Sequence, residues 1–111
     1  MLDEGLIADF RGEGSTPLIK AAEGGNSRCV EVLLERGATV DREDEHTGRT
    51  PLGYAAEYGK VECVRVLLAH GADAARGDRS GNTPLELALL NRHIECIRLL
   101  PGGENVQLSA H

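Results

Sequence analysis

The sequence predicts an all-α fold, a solenoid of stacked helix-turn-helix pairs joined by β-hairpin-like connectors. The tripeptide Thr-Pro-Leu occurs three times, at 16–18, 50–52 and 83–85, with spacings of 34 and 33 residues. Two short helical patterns separated by a turn follow each copy. Periods of about 20 to 50 residues are typical of chains whose similar units stack side by side. We therefore expect an elongated array rather than one enclosed core.

The first helix of each unit is predicted to begin at its Thr-Pro-Leu sequence. Threonine at an N-cap accepts a hydrogen bond from a backbone donor of the first turn, and proline suits the position after it. In the first unit Leu18, Ala21 and Ala22 recur at i, i+3 and i+4. This spacing places them on one face of a short helix.

A turn and a second helix complete each unit. Gly25 and Gly59 predict the turns of the first two units, since glycine tolerates a positive φ, and Arg92 stands at the equivalent position of the third. Each unit is too small to bury its apolar stripe alone, so the units must stack. The apolar residues of the second helices are Val30, Leu33 and Leu34 in the first unit and Val64, Leu67 and Leu68 in the second.

The connectors are polar and rich in turn-forming residues. Gly37 and Gly71 are predicted to end the second helices that precede them. The first connector is one residue longer than the second, and we expect the extra residue within the acidic run 41–45. The sequence Pro-Gly-Gly at 101–103 predicts that the last helix stops about one turn early.

We divide the chain into an N-terminal segment at 1–13, three repeats within 14–100 and a C-terminal tail at 101–111. The repeats span about 15–48, 49–81 and 82–100. The N-terminal segment has apolar residues at 2, 6, 7 and 10, a spacing compatible with a short capping helix, and a remnant of an earlier connector is the alternative. The chain is either a whole small protein or a fragment of a longer array.

Composition excludes several classes of function. The 111 residues carry 12 Lys and Arg against 18 Asp and Glu, a net charge of −6 that disfavours a nucleic-acid partner. No stretch approaches the length of apolar sequence that crosses a membrane, and the N-terminus does not resemble a secretory signal. We expect a soluble intracellular protein, cytoplasmic or nuclear or both, with no membrane partner.

The cysteines and histidines do not predict a metal, a cofactor or a catalytic site. Cys29, Cys63 and Cys96 occupy one equivalent repeat position, and neighbouring repeats about 8–10 Å apart would keep them too distant for a disulfide. We expect small buried hydrophobes in a reducing compartment. His93 and Cys96 share one helix face, but two ligands fall short of the usual four for zinc.

On these motifs, residues 14–100 resemble ankyrin repeat proteins, whose repeats begin with Thr-Pro-Leu-His and span about 33 residues. The sequence departs from that pattern because Ile19, Gly53 and Glu86 replace the histidine. Glycine inside a helix costs about 1 kcal/mol relative to alanine, so Gly53 is expected to weaken its helix.

The resemblance implies a non-enzymatic protein–protein interaction module that binds a partner through connector tips and the concave face of the stack. The alternatives are a stoichiometric inhibitor or regulator of an enzyme such as a kinase, and a structural segment of a longer ankyrin scaffold. Self-association is expected to be absent or weak, and then to involve the terminal repeat. Tyr58 is of most interest, because exposed tyrosines often dominate interfaces. The positions that match the family's contact residues are His46, Thr47, Arg49, Glu57, Tyr58, Arg79, Ser80, Asn82, Leu90 and Asn91.

Overall fold

The computed structural model describes residues 15–103, and this part contains six α-helices and no β-strand. The all-α prediction is confirmed, whereas the proposed capping helix and residues 104–111 of the tail lie outside the described residues. Helix α6 has six residues where α4 has nine, so the predicted early stop is confirmed. The helices are α1 Pro17–Gly24, α2 Ser27–Glu35, α3 Pro51–Glu57, α4 Val61–Ala69, α5 Pro84–Leu90 and α6 Ile94–Leu99.

The three threonines cap the first helices as predicted. The Oγ1 atom of Thr16 accepts a hydrogen bond from the N–H of Ile19 at 3.2 Å, and Thr50 and Thr83 make the same bond in α3 and α5. In α5 the carboxylate of Glu86 also accepts the N–H of Thr83 at 2.9 Å, which completes a capping box. Glu86 therefore supplies polar support to the helix from the position where the ankyrin pattern has histidine.

The helices form two layers. The first helices, α1, α3 and α5, pack side by side, the second helices α2, α4 and α6 form the adjacent layer, and each first helix packs on its own second helix. The core between the layers is aliphatic, as the low aromatic content predicts. Its buried members are Leu18, Ala21, Ala22, Val30, Leu52, Ala55, Ala56, Cys63, Val64, Leu67, Ala88, Cys96, Ile97 and Leu100.

Both connectors close with the same aspartate turn. The N–H of Asp44 donates to the carbonyl of Arg49 at 2.9 Å, and the N–H of Asp78 donates to the carbonyl of Asn82 at 3.0 Å. Gly37 and Gly71 lie equally far before the two aspartates, so the extra residue of the first connector follows Asp44. The extra residue therefore lies in the turn at 45–48, which overlaps the predicted run 41–45 only at position 45.

Close approach between neighbouring repeats explains the glycine turns. Gly59 has a φ of 71°, and a Cβ atom built there would lie 2.5 Å from Nδ1 of His93 in the next repeat. Gly25 has the same relation to Lys60, whose Cδ would lie 2.9 Å from such an atom. Arg92, at the equivalent position, has a φ of 58° and is the single non-glycine residue with positive φ within 15–103. The described residues contain no helix pair after α6 that would cover it.

Replacing Gly59 tests this close approach. We expect Gly59→Ala to cost more stability than Gly71→Ala, because both glycines have positive φ but Gly71 has open space where its Cβ would point. Gly71→Ala should cost about 1 kcal/mol for the left-handed backbone alone. Urea denaturation followed by circular dichroism measures both losses.

The stability that Gly59→Ala loses beyond Gly71→Ala should be recovered when Gly59→Ala is measured in a His93→Ala background, since the clash is with the His93 ring. Equal losses for Gly59→Ala and Gly71→Ala would show that the contact with His93 does not constrain the turn.

Candidate functional site

The helix-end residues of the predicted contact set lie together in the stack. Glu57 is the last residue of α3 and Tyr58 is its C-cap, while Leu90 and Asn91 hold the same places in α5. Because α3 packs on α5, the two pairs are neighbours. Glu23 occupies the position equivalent to Glu57 near the end of α1.

Exposed apolar side chains concentrate at this end of the helices. Tyr58 is 47% exposed, Leu90 is 70% exposed and Ile94 is 40% exposed, and these are the exposed large hydrophobic residues of the described part. All three lie at or next to the turn between a first and a second helix. Ile94 was not predicted as a contact residue, since the repeat alignment places it opposite Val61, which is half-buried. We call Glu57, Tyr58, Leu90, Asn91 and Ile94 the turn-end surface.

The ring of Tyr58 is supported by a second aromatic ring. Its ring stacks on that of Tyr54, with centroids 6.4 Å apart and planes 15° from parallel. Tyr54 is buried, and its hydroxyl shares a 2.9 Å hydrogen bond with Oγ1 of Thr47. Burial, and then the charges of Glu57 and Glu23, raise the pKa of Tyr58, so its hydroxyl stays protonated at neutral pH. The ring is exposed but held in place.

The connector tips are ordered by hydrogen bonds from backbone N–H groups to the carboxylate of Asp44 and to a backbone carbonyl. The carboxylate of Asp44 accepts the N–H groups of His46 and Thr47, and the carbonyl of Thr47 accepts the N–H of Arg79 at 2.9 Å. The side chains of His46, Arg79 and Ser80 are exposed, whereas those of Thr47 and Asn82 are half-buried. The tips therefore keep a fixed spacing across the two connectors.

Arg49 is a predicted contact residue whose side chain is largely covered, at 17% exposed. It runs along α3, with its guanidinium 5.2 Å from the centre of the Tyr54 ring. The guanidinium forms ion pairs with Glu57 of the same repeat and with Asp78 of the next connector, the latter at 2.9 Å. The charge of Arg49 is thus engaged within the fold.

Gly53 makes room for Arg49. A Cβ atom at Gly53 would lie 2.7 Å from Cγ of Arg49, so the stem of the arginine crosses the helix where a side chain is missing. Alanine at Gly53 would therefore displace the arginine, which opposes the gain in helix propensity that alanine otherwise brings. The glycine that replaces the ankyrin histidine has a structural reason here.

Asp78 is the buried partner of this network. Its side chain is only 2% exposed, and its carboxylate also accepts the N–H groups of Ser80 and Asn82. Burial alone would raise the pKa of Asp78, but the hydrogen bonds from Asn82, Arg49 and Ser80, together with the charge of Arg49, lower it below its ordinary value. Asp78 is therefore ionised and joins repeat two to the following turn.

The burial predicted for the three cysteines is confirmed for two of them. Cys63 and Cys96 are buried, Cys29 is half-buried and all three are free. Burial raises the pKa of Cys63 and of Cys96, so both remain thiols at neutral pH. Within residues 15–103 no group of three or more His, Cys, Asp or Glu side chains is placed to hold a metal ion. No helix in this part of the chain is long and apolar enough to cross a membrane.

Comparison with known proteins agrees with the geometry. Residues 18–109 match the family model described as ankyrin repeats in three copies. No curated protein matches the chain. The match covers most of the sequence and contains three repeats, the number predicted from the Thr-Pro-Leu spacing.

Removing the charge of Arg49 tests the network. Arg49→Met keeps a stem over Gly53 but leaves Asp78 without its ion pair, and we expect a loss of about 2 kcal/mol in the free energy of unfolding at neutral pH. The loss should shrink in acid. Folding lowers the pKa of Asp78. The stability that its ionised form contributes is therefore complete above the unfolded pKa of about 3.9 and is lost as pH falls through the folded pKa.

Urea titrations at pH 7 and at pH 3 measure this change, with Arg65→Met as the matched control. Arg65 pairs with Glu62 at the surface, where both side chains are at least half exposed, so its replacement should change stability little. A loss for Arg49→Met that is the same at both pH values would contradict the role given to Asp78.

Proposed function

The chain belongs to the ankyrin repeat family, and from this premise we infer that it is a non-enzymatic module that binds a partner protein. Ankyrin repeats are generally protein–protein interaction modules and are typically non-enzymatic. We assign the binding role to the turn-end surface together with the exposed connector tips. A stoichiometric inhibitor would use the same surfaces, and inhibition that saturates at one chain per enzyme would identify it.

The observation that carries this proposal is the clustering of exposed apolar side chains on a rigid part of the stack. Tyr58, Leu90 and Ile94 lie at one end of their helix pairs. Tyrosine is enriched among interface hot spots, and side chains held on a well-supported backbone lose little conformational freedom when they bind. The tyrosine stacking and the caps of α3 and α5 supply this support.

The tips extend the proposed surface. His46, Arg79 and Ser80 are exposed beside one another on adjacent connectors that share a backbone hydrogen bond. Arg49 was predicted as a contact residue from its position, and that assignment stays a prediction. Because its charge is engaged with Glu57 and Asp78, its replacement would report on folding as well as on binding.

Photo-crosslinking in cells tests the surface directly. Tyr58→benzoylphenylalanine and Leu90→benzoylphenylalanine should yield covalent adducts with a partner protein, identified by mass spectrometry. Arg65→benzoylphenylalanine and Arg98→benzoylphenylalanine are matched controls, because both side chains are more than half exposed but lie on the second helices. Adducts formed only from the control positions, or equally from all four, would contradict the proposed surface.

Truncation then measures the contribution to affinity. We expect Tyr58→Ala and Leu90→Ala each to weaken binding of the crosslinked partner about tenfold, the scale of an interface hot spot. Arg65→Ala should leave affinity unchanged. Calorimetric titration gives the affinities, and circular dichroism must show unchanged helicity in each variant for the comparison to count.

A further inference from the structure

We propose that Tyr58, with Glu23 and Glu57, receives an arginine or lysine side chain of the partner protein, and that Leu90 contacts an apolar side chain beside it. This inference rests on the proposed function and specifies the chemistry of the partner. The occupant is a protein segment that carries a basic residue next to an apolar one.

The aromatic ring supplies the first part of the argument. Tyr58 is nearly half exposed, and a cation over the face of a tyrosine ring is attracted by its quadrupole. Stacking on Tyr54, itself held by Thr47, fixes the ring before binding. The binding energy is therefore not spent on ordering the side chain.

The charge around the ring supplies the second part. The negative charges of Glu57 and Glu23 both act on Tyr58, and the positive charge of Arg49 acts against them more weakly. Arg49 is already paired with two carboxylates, Glu57 and Asp78. Glu23 forms no ion pair with any residue of the described range. An incoming cation would thus meet one carboxylate that has no ion-pair partner within residues 15–103, Glu23, and one that is shared, Glu57.

The net charge of the chain favours a cation as well. The whole chain carries a net charge of −6, so a basic segment is steered toward it and an acidic one is repelled. Charge complementarity therefore selects a basic partner over an acidic one.

Leu90 provides an apolar contact beside the charged one. It is the most exposed large hydrophobic residue of the described part and occupies in α5 the position that Glu57 has in α3. Because these helices pack on each other, a segment that crosses from α3 to α5 meets first an aromatic ring with carboxylates and then a leucine. This order of surfaces matches a basic residue followed by an apolar one.

Selection from a random peptide library displayed on phage tests the inference with the full chain as bait. We expect the selected peptides to share an arginine or lysine adjacent to an apolar residue. A synthetic peptide of the selected sequence should bind about tenfold more weakly to Tyr58→Ala and to Glu23→Lys, while Tyr58→Phe retains binding because the ring remains. Arg65→Ala is the control and should bind as the unmodified chain does.

Several results would overturn the inference. One such result is that the selected peptides are acidic or lack a basic residue, and another is that Tyr58→Ala leaves peptide binding unchanged. Crosslinks at Tyr58 could still support the proposed function in either case. Affinity that does not fall as salt is raised would argue against an ionic contact. Concentration-dependent dimers in sedimentation that Tyr58→Ala abolishes would identify a second copy of the chain as the occupant instead.

Discussion

Each helix pair in this chain buries its apolar stripe only against the pair beside it, and this constraint governs the rest of the structure. The core is built from small aliphatic residues such as Ala22, Ala56 and Ala88, which let neighbouring layers come close. Close packing in turn requires glycine at Gly25 and Gly59, where a residue of the next repeat lies over the turn. The exposed residues Tyr58, Leu90 and Ile94 are not among those that form this core.

One departure from the family pattern, the glycine at position 53, connects the stack to its proposed binding surface. Gly53 leaves a gap on α3 that the stem of Arg49 crosses, and the guanidinium then reaches both Glu57 and Asp78. One side chain thus links a connector tip, the end of a first helix and the following connector. The same arginine lies beside Tyr54, on which Tyr58 stacks, so the support of the exposed ring and the coupling between repeats share one network.

The sequence was sufficient for the fold because it repeats itself. Helix starts follow from threonine and proline, and the early end of α6 follows from Pro101, so local chemistry determines both. The burial of Arg49 could not be predicted, since it depends on a missing side chain at Gly53 and on an aspartate about one repeat away. The exposure of Ile94 was missed as well, because its aligned counterpart, Val61, is partly buried against the core. Long-range partners, and not local propensity, decide such positions.

The arginine at position 92 has a consequence for protein engineering. It carries a Cβ at the position where the two earlier turns accept the side chain of a following unit. A designer who fuses another helix pair beyond α6 in the same register would place the N-cap residue of that pair's second helix against this atom, as Lys60 and His93 lie against the two earlier turns. Glycine at position 92 would remove this clash, so position 92 is one residue to change when the scaffold is lengthened.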